Sequence, residues 1–303
     1  MFQWLPGPLL GVLASLLLVL NTALWIGPVY ALILIKLLTP KGSRARDFVS
    51  RGIAWSAQHW ALFNVWMTDA IMRIRWDIRM HTVIDPRGQY LVCANHQTWN
   101  DILVLIKAFG RRAPFFKFFL KHELIWVPVL GLAWWGLDYP FMKRHTKEQI
   151  ARNPALKGQD IETTRRACEA FRHQPALILN FLEGTRFTPA KHQRQQSPYR
   201  HLLKPKSGGF AFTLSALGEQ LHSLLDVTIV YPDGARGFWD FLCGRTGRVI
   251  VDVRQLEVPH ELFEGSYESD AEFRARFHTW IASLWSAKDA RIAELLAETR
   301  AAT

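Results

Sequence analysis

Cysteine is scarce in this chain of 303 residues: there are three, and no two of them stand in a C-x2-C spacing. A disulfide framework and a cysteine-ligated zinc site are therefore excluded. The phosphate-binding motifs G-x-G-x-x-G and G-x-x-x-x-G-K-[ST] are absent as well, which argues against a dinucleotide fold or a P-loop. Because His122, His145 and His201 show no paired ligand spacing, we expect no metal and no resident cofactor.

Negative charge is also in short supply, because 37 Lys and Arg outnumber 26 Asp and Glu and give a formal net charge of +11. Such a chain prefers anionic partners: a phospholipid surface, phosphate groups, an acidic carrier protein or nucleic acid. Thirteen Trp favour the membrane, since the amphipathic indole ring sits well at headgroup level. We predict a phospholipid membrane and no nucleic acid. The alternative is a membrane-tethered basic protein that binds anionic lipid or nucleic acid without catalysis.

Charge is nearly missing from residues 9–38, where Lys36 is the only charged residue. A helix of this length exceeds the roughly 30 Å of hydrocarbon in a bilayer, so we predict a membrane anchor over residues 1–40. Asn21 and the Gly27-Pro28 pair leave open one kinked span or a helical hairpin. No Lys or Arg precedes the tract, which disfavours a cleaved signal peptide. Cations follow it, and the positive-inside rule then places the rest of the chain in the cytoplasm.

The remaining sequence alternates between short apolar runs and amphipathic segments. Residues 41–80 are rich in aromatics and cations, and we predict an interfacial helix over residues 54–76, with an ordinary core helix as the alternative. Residues 81–303 form the main predicted domain. Its predicted strands are 91–94, 115–120, 176–182, 225–231 and 248–253; its predicted helices are 102–108, 161–172, 210–217 and 271–297, with a basic loop over 187–207. This alternation predicts an α/β fold with a mixed, mostly parallel sheet flanked by helices.

Two polar motifs directly follow apolar runs. In Y-L-V-C-A-N-H-Q-T-W-N-D-I, residues 90–102, His96 precedes Asp101 by five positions, which suits a general base and its orienting carboxylate at the end of a strand. The second motif is Glu183-Gly184-Thr185-Arg186. Two simpler interpretations stay open: Asp101 as only a helix cap, and Glu183 with Arg186 as only a local ion pair.

Four sequence blocks carry a resemblance to a known family. They are N-H-Q-T-W-N-D, F-M-K-R, E-G-T-R and I-V-Y-P, in the order found in glycerolipid acyltransferases of the PlsC type, the 1-acylglycerol-3-phosphate acyltransferases. Longer strings such as W-V-P-V-L-G-L-A-W-W-G-L-D-Y-P-F-M-K-R look close to the bacterial YihG-type branch, which implies the bacterial inner membrane. Leu182 departs from the Pro that often precedes E-G-T-R in the family.

The resemblance implies a role for each candidate residue. His96 would be the general base that deprotonates the free hydroxyl of a lysophospholipid, with Asp101 behind its imidazole. Arg144 and Arg186 would hold the acceptor phosphate, although Arg144 also suits a solvated charge or a headgroup contact. Glu183, Gly184 and Thr185 would complete the acceptor site, and Glu183 would receive a glycerol hydroxyl or lock Arg186.

The implied donor is acyl-CoA or an acyl carrier protein, and the implied acceptor is lysophosphatidate. Transfer would be direct, because the chain has no G-x-S-x-G elbow and Cys93 lies inside an apolar run. A hydrolase that uses the same base to activate water is a further alternative. If the chain is an acyltransferase, we expect His96 and Arg186 to face each other across one cavity.

Overall fold

The computed structural model describes residues 4–139, 141–142, 152, 175–218, 221, 223–267 and 269–301. Its α-helices are α1 (Gly7–Leu38), α2 (Arg44–Ile71), α3 (Asp101–Phe109), α4 (Leu130–Gly136), α5 (Pro189–Gln195), α6 (Ser207–Leu217), α7 (Phe238–Leu242) and α8 (Ala271–Ala301). Its strands are β1 (Arg75–Met80), β2 (Gln89–Ala94), β3 (Phe116–Phe118), β4 (Leu120–Lys121), β5 (Phe141–Met142), β6 (Ala176–Phe181), β7 (Ser223–Val230) and β8 (Arg248–Leu256).

A six-stranded sheet in the order β1-β8-β7-β2-β6-β3 organises the main domain. Strand β2 lies between β6 and β7 and is parallel to both. Strand β8 runs antiparallel to β7, whereas β1 with β8 and β3 with β6 are parallel. The prediction of a mixed, mostly parallel α/β sheet is confirmed. The carboxyl ends of β2, β6 and β7 therefore meet at one edge, where polar groups carried by three separate segments come together.

Helices cover both faces of this sheet. On one face Leu91 and Ile178 pack with α6 and α8 in a core that includes Phe210 and Trp285. On the other face Val92 packs with α3 in a second core. All six residues of β2 are buried, which explains why the central strands read as continuous apolar runs and not as alternating ones.

The apolar tract forms one continuous helix, α1, which contains Pro28 and pairs with α2. It is long and apolar enough to cross a membrane, and only 22% of its most apolar window is buried. Polar contacts join the two helices: Asn21 donates its side-chain amide to the Asn64 side chain at 2.8 Å and to the Trp60 carbonyl at 3.1 Å. Lys36 is buried and pairs with Asp138 at 2.6 Å, which ties the end of α1 to the segment after α4.

Three predicted elements differ from the observed ones. The helix predicted over residues 54–76 ends at Ile71, and residues 75–80 form β1 because their backbone pairs with β8. The loop predicted over residues 187–207 contains α5, which Thr188 caps by accepting from the Lys191 backbone N–H at 3.2 Å. Residues 115–120 split between β3 and β4. The helix predicted over residues 161–172 lies outside the described residues.

Candidate active site

The Asn95 side chain anchors the loop after β2 to β7 through two hydrogen bonds with the backbone of one β7 residue. Asn95 is buried, donates its side-chain amide to the Ile229 carbonyl at 2.9 Å, and accepts from the Ile229 backbone N–H at 2.8 Å. Gln97 also donates to that carbonyl, at 3.2 Å. The backbone on either side of His96 is therefore fixed relative to the sheet.

The imidazole of His96 is held by Asp101. Its Nδ1 lies 2.8 Å from the Asp101 Oδ2, and the Asp101 side chain is fully buried whereas that of His96 is 14% exposed. The ring also stacks on Phe181, the last residue of β6, at a centroid distance of 4.0 Å and an interplanar angle of 14°. Because Asp101 engages Nδ1, the nitrogen left to take a proton from a substrate is Nε2, which has no hydrogen-bond partner among the described residues.

Asp101 receives three further donors, and they bear on its role. Oδ2 accepts from the backbone N–H groups of Gln97 at 2.6 Å and Thr98 at 3.0 Å. Oδ1 accepts from the Tyr231 hydroxyl at 2.7 Å. Because Oδ2 already accepts from two backbone N–H groups, we assign the His96 Nδ1–H as the donor of the bond to Asp101. The capping interpretation and the dyad interpretation hold together, because one carboxylate serves the loop and the imidazole.

Tyr231 was not among the predicted site residues, although it stands within I-V-Y-P. It is 5% exposed and lies just after β7. Burial, reinforced by the nearby Asp101 carboxylate, raises the pKa of its hydroxyl well above the ordinary value, so the group stays protonated and donates. Tyr231 and Asp101 are 130 positions apart in the sequence, so a local sequence pattern could not predict their contact.

Glu183 joins two loops through backbone groups. It is fully buried, and its Oε2 accepts from the His96 N–H at 3.0 Å while its Oε1 accepts from the Leu203 N–H at 2.9 Å. Burial raises its pKa to about 7, and these two backbone donors partly oppose that rise. The expectation that Glu183 locks Arg186 is wrong, since the two form no ion pair and the Arg186 guanidinium lies over the Trp99 ring.

The rest of the E-G-T-R motif turns the chain toward the same edge. Gly184 has a φ of +62°, and a Cβ there would meet the Lys206 Cδ at 2.9 Å, so the turn requires glycine. Thr185 accepts from the Lys191 Nζ at 2.8 Å. Arg186 stacks its guanidinium on the Trp99 ring, 4.5 Å from the centroid, and makes no ion pair with the described residues. This stacking leaves its planar donors available to an anion.

A cavity of about 630 Å³ opens at this edge of the sheet. Its wall includes Arg186 and the loop residues Gln97 to Trp99, but not His96. The expectation that His96 and Arg186 face each other across one cavity is therefore not met by this cavity: the imidazole lies against Phe181, beside it. The structure brings His96, Asp101 and the E-G-T-R turn together, whereas Arg144 lies outside the described residues.

Cys93 is fully buried and is the second-to-last residue of β2. Burial raises the pKa of its thiol far above the ordinary value. A thiol in that environment is a poor nucleophile, in agreement with its predicted burial.

The fold and the paired motifs place the chain in a known protein family. The profile of the acyltransferase family matches residues 75–232, from the start of β1 to just past Tyr231, and the chain belongs to that family. The matched segment thus contains the His96–Asp101 pair and the E-G-T-R turn.

Curated relatives agree with this family. The 1-acyl-sn-glycerol-3-phosphate acyltransferase delta of Homo sapiens is 27% identical over 214 residues, covering 66% of this chain and 51% of the relative. The protein of that name from Bos taurus is 26% identical over 246 residues, covering 73% and 59%. The 2-acyl-1-lysophosphatidylinositol acyltransferase of Saccharomyces cerevisiae is 22% identical over 248 residues, covering 67% and 60%. The chain spans about half the length of the curated relatives it matches.

A solved structure shares the fold. The 1-acyl-sn-glycerophosphate acyltransferase PlsC from Thermotoga maritima superimposes with a TM-score of 0.50 at 18% identity, covering 94% of this chain and 97% of that chain. Almost the whole described architecture, and not the motif region alone, takes part in this likeness.

Proposed function

We propose that this protein transfers a fatty acyl group from a thioester to the free hydroxyl of a lysophospholipid, with lysophosphatidate as the acceptor. The observation that carries the proposal is the His96–Asp101 pair: Nδ1 is bound by a buried carboxylate while Nε2 keeps no partner among the described residues. This arrangement suits a general base whose tautomer and ring plane are set before the substrate arrives.

The reaction follows from that geometry. Nε2 of His96 takes the proton of the acceptor hydroxyl as its oxygen attacks the thioester carbonyl carbon. The buried Asp101 stabilises the imidazolium that forms. When the tetrahedral intermediate collapses, the carbon–sulfur bond breaks and the imidazolium returns the proton to the leaving thiolate. No acyl-enzyme is required, and the buried Cys93 has no part in the transfer.

The acceptor is proposed from the chemistry of the E-G-T-R turn. Arg186 presents a guanidinium stacked on Trp99, without an ion pair among the described residues, and guanidinium binds phosphate with two parallel hydrogen bonds. The relatives named for 1-acylglycerol-3-phosphate and for lysophosphatidylinositol both act on phosphate-bearing acceptors, which supports a shared phosphate contact. Lysophosphatidate is the simpler of the two, and Arg144 remains a proposed second contact.

Membrane association is part of the proposal. The outer face of α1 exposes large apolar side chains such as Leu16, Leu20 and Leu24, and α2 adds Trp55 and Trp66, each more than half exposed. Side chains of this kind on two paired helices suit a bilayer better than water. The bacterial inner membrane, the cytoplasmic orientation and the YihG-type branch stay predictions.

Acyl transfer by the purified protein tests this function. Wild type is expected to convert lysophosphatidate and an acyl thioester to phosphatidate, and His96→Ala is expected to reduce kcat by at least about 100-fold, the usual contribution of a general base. His260→Ala is the matched control, because it removes a histidine whose side chain is 75% exposed. Wild-type rates in His96→Ala contradict the mechanism, and release of free acid at the same rate without acceptor identifies a hydrolase instead.

A further inference from the structure

Helix α8 carries three polar side chains that contact the segments around the candidate active site. The helix lies outside the family profile, which ends at residue 232. Lys288 and Asp289 follow Trp285 by three and four positions, so the three side chains project from one face of the helix. This face lies against the carboxyl ends of β2 and β7 and against the chain between α5 and α6.

Lys288 fixes α8 to the sheet. Its side chain is fully buried and pairs with Asp226 on β7. The ammonium group also donates to the Val227 carbonyl of β7 at 2.7 Å and to the Cys93 carbonyl of β2 at 3.4 Å. Moving Lys288 away would leave Asp226 as a buried charge without its partner, which is strongly unfavourable. The helix therefore has a fixed position relative to the two strands that carry the dyad.

Trp285 and Asp289 hold the four residues 200–203, which we call the α8-bound loop. The Trp285 indole N–H donates to the Leu203 carbonyl at 2.9 Å, and both residues are fully buried. The Asp289 carboxylate accepts from the backbone N–H groups of the first two residues of the loop, at 2.8 and 2.7 Å. Three hydrogen bonds from one helix face thus set the position of this loop.

The α8-bound loop is joined to the proposed base by one buried carboxylate. The Leu203 N–H donates to one oxygen of Glu183, and the other oxygen accepts from the His96 N–H. The His96 carbonyl accepts from the Phe187 N–H at 2.7 Å, so both backbone groups of His96 are bound by the segment 183–187. A displacement of Leu203 is therefore passed through Glu183 to the backbone of His96.

Core packing alone does not explain the two contacts of α8 with this loop. Trp280, on the same helix, packs on Phe210, and its indole N–H has no partner among the described residues. Trp285 differs because it uses its N–H to hold a buried carbonyl. Arg200 is exposed, so water could satisfy its backbone N–H without Asp289. The carboxylate therefore serves to set where the loop lies.

We propose that Trp285 and Asp289 are positioning residues for acyl transfer: they fix the α8-bound loop, and Glu183 passes this constraint to His96. The inference rests on the proposed function, in which His96 is the general base. Neither side chain touches the substrate. Loss of either contact is expected to lower kcat with little change in acceptor KM, because the proposed phosphate contact, Arg186, is held separately by its stacking on an indole ring.

Trp285→Phe keeps an aromatic ring in the core and removes the donor to Leu203. We expect kcat for acyl transfer to lysophosphatidate to fall about tenfold, a part of the 100-fold or more that a general base contributes, and acceptor KM to stay within about twofold. Trp280→Phe is the matched control, because it makes the same change on the same helix without removing a hydrogen bond among the described residues. Wild-type kcat in Trp285→Phe, or equal losses in the two variants, overturns the proposal.

The contact of Asp289 is tested by a graded pair of variants. Asp289→Ala removes both acceptor oxygens, whereas Asp289→Asn keeps one. We expect kcat to fall about tenfold in the alanine variant and by a smaller factor in the asparagine variant. Glu272→Ala is the control, because it removes a carboxylate that is 84% exposed on the same helix. Equal kcat in Asp289→Ala and Glu272→Ala contradicts the role of Asp289.

Combining Trp285→Phe with Glu183→Gln tests the connection to the base. The glutamine amide offers one acceptor oxygen in place of two, so it cannot accept from both the Leu203 and the His96 N–H groups. In the Glu183→Gln background, Trp285→Phe is expected to lower kcat by less than about twofold. Independent effects would add, and a second tenfold loss overturns the proposed connection.

Amide hydrogen exchange of the full chain in detergent measures positioning without turnover. The peptide that contains His96 is expected to exchange at least about fivefold faster in Trp285→Phe than in wild type or Trp280→Phe. If exchange accelerates in this way but the wild type transfers no acyl group, the proposed function is contradicted and the positioning role stands. A lower kcat with unchanged exchange at His96 contradicts the positioning role alone.

Discussion

Replacing Tyr231 by Phe removes one hydrogen bond from the buried carboxylate that orients His96. The hydroxyl donates to the Asp101 Oδ1 at 2.7 Å, and the other three donors to Asp101 all lie on Oδ2. A hydrogen bond to a charged acceptor contributes about 1.5–3 kcal/mol, more than the 0.5–1.5 kcal/mol typical of a neutral pair. We expect the free energy of unfolding to fall by about 2 kcal/mol in Tyr231→Phe.

The same change is expected to slow catalysis. Without a partner for Oδ1, the Asp101 carboxylate is held only through its Oδ2, and the imidazole loses part of its fixed orientation. A loss of about 1.4 kcal/mol in transition-state stabilisation lowers kcat tenfold. We expect a drop of that order in kcat with little change in acceptor KM, because Tyr231 acts through Asp101 and not on the substrate.

Tyr139→Phe is a matched control for this experiment. Tyr139 is 6% exposed, close to the 5% of Tyr231, and its hydroxyl donates at 2.6 Å to the neutral carbonyl of Phe116. It is expected to lose about 1 kcal/mol of stability and no kcat. Urea unfolding and initial rates on both variants check the pair. If Tyr231→Phe keeps wild-type kcat while losing no more stability than Tyr139→Phe, the argument from the Asp101 carboxylate is refuted.

Two further predictions concern the E-G-T-R turn. Burial raises the pKa of Glu183 from 4.5 to about 7, so between these values the folded protein keeps a proton that the unfolded chain releases, and stability falls as pH rises through this window. The side chain in Glu183→Gln cannot ionise. Between pH 4 and pH 8, the free energy of unfolding of the wild type, measured with urea, is expected to fall by up to about 3 kcal/mol more than that of this variant. If the two free energies depend on pH in the same way, the pKa shift is contradicted. Arg186→Ala is expected to raise the KM for lysophosphatidate about tenfold and that for a dephosphorylated analogue little, and equal effects on both acceptors remove the phosphate role.

The sequence predicts those helices and strands whose conformation is determined by their own residues. Strands β2 and β6 are predictable because burial on both faces requires a run such as Leu91 and Val92 without polar interruption. Strand β1 is different, since Arg75, Asp77 and Arg79 read as polar and their strand conformation depends on pairing with β8, more than 170 positions away. Asp77 is stabilised there by Arg79 and Arg248, a contact that only the folded chain creates.

The same distinction applies to the candidate site. His96 and Asp101 were predicted to meet because five residues separate them at the end of one strand, and the structure joins them at 2.8 Å. The partners of Glu183 were not predictable, because they are backbone N–H groups of two loops that approach only when β2 and β6 pair. Backbone donors carry no residue identity, so no sequence pattern marks them.

Asp101 shows why a capping interpretation and a catalytic one need not compete. Its Oδ2 accepts from two backbone N–H groups of the 96–98 loop and from the His96 ring. The contacts that fix the loop conformation therefore also fix the position of the imidazole. The same atom therefore stabilises the local fold and sets the tautomer of the base. Asp101→Asn would put an amide where these donors converge, and folding and catalysis would weaken together because they depend on one oxygen. Tyr231 contacts only Oδ1, so Tyr231→Phe leaves the Oδ2 contacts with the loop and the imidazole in place and is expected to have a smaller effect on both than a change at Asp101.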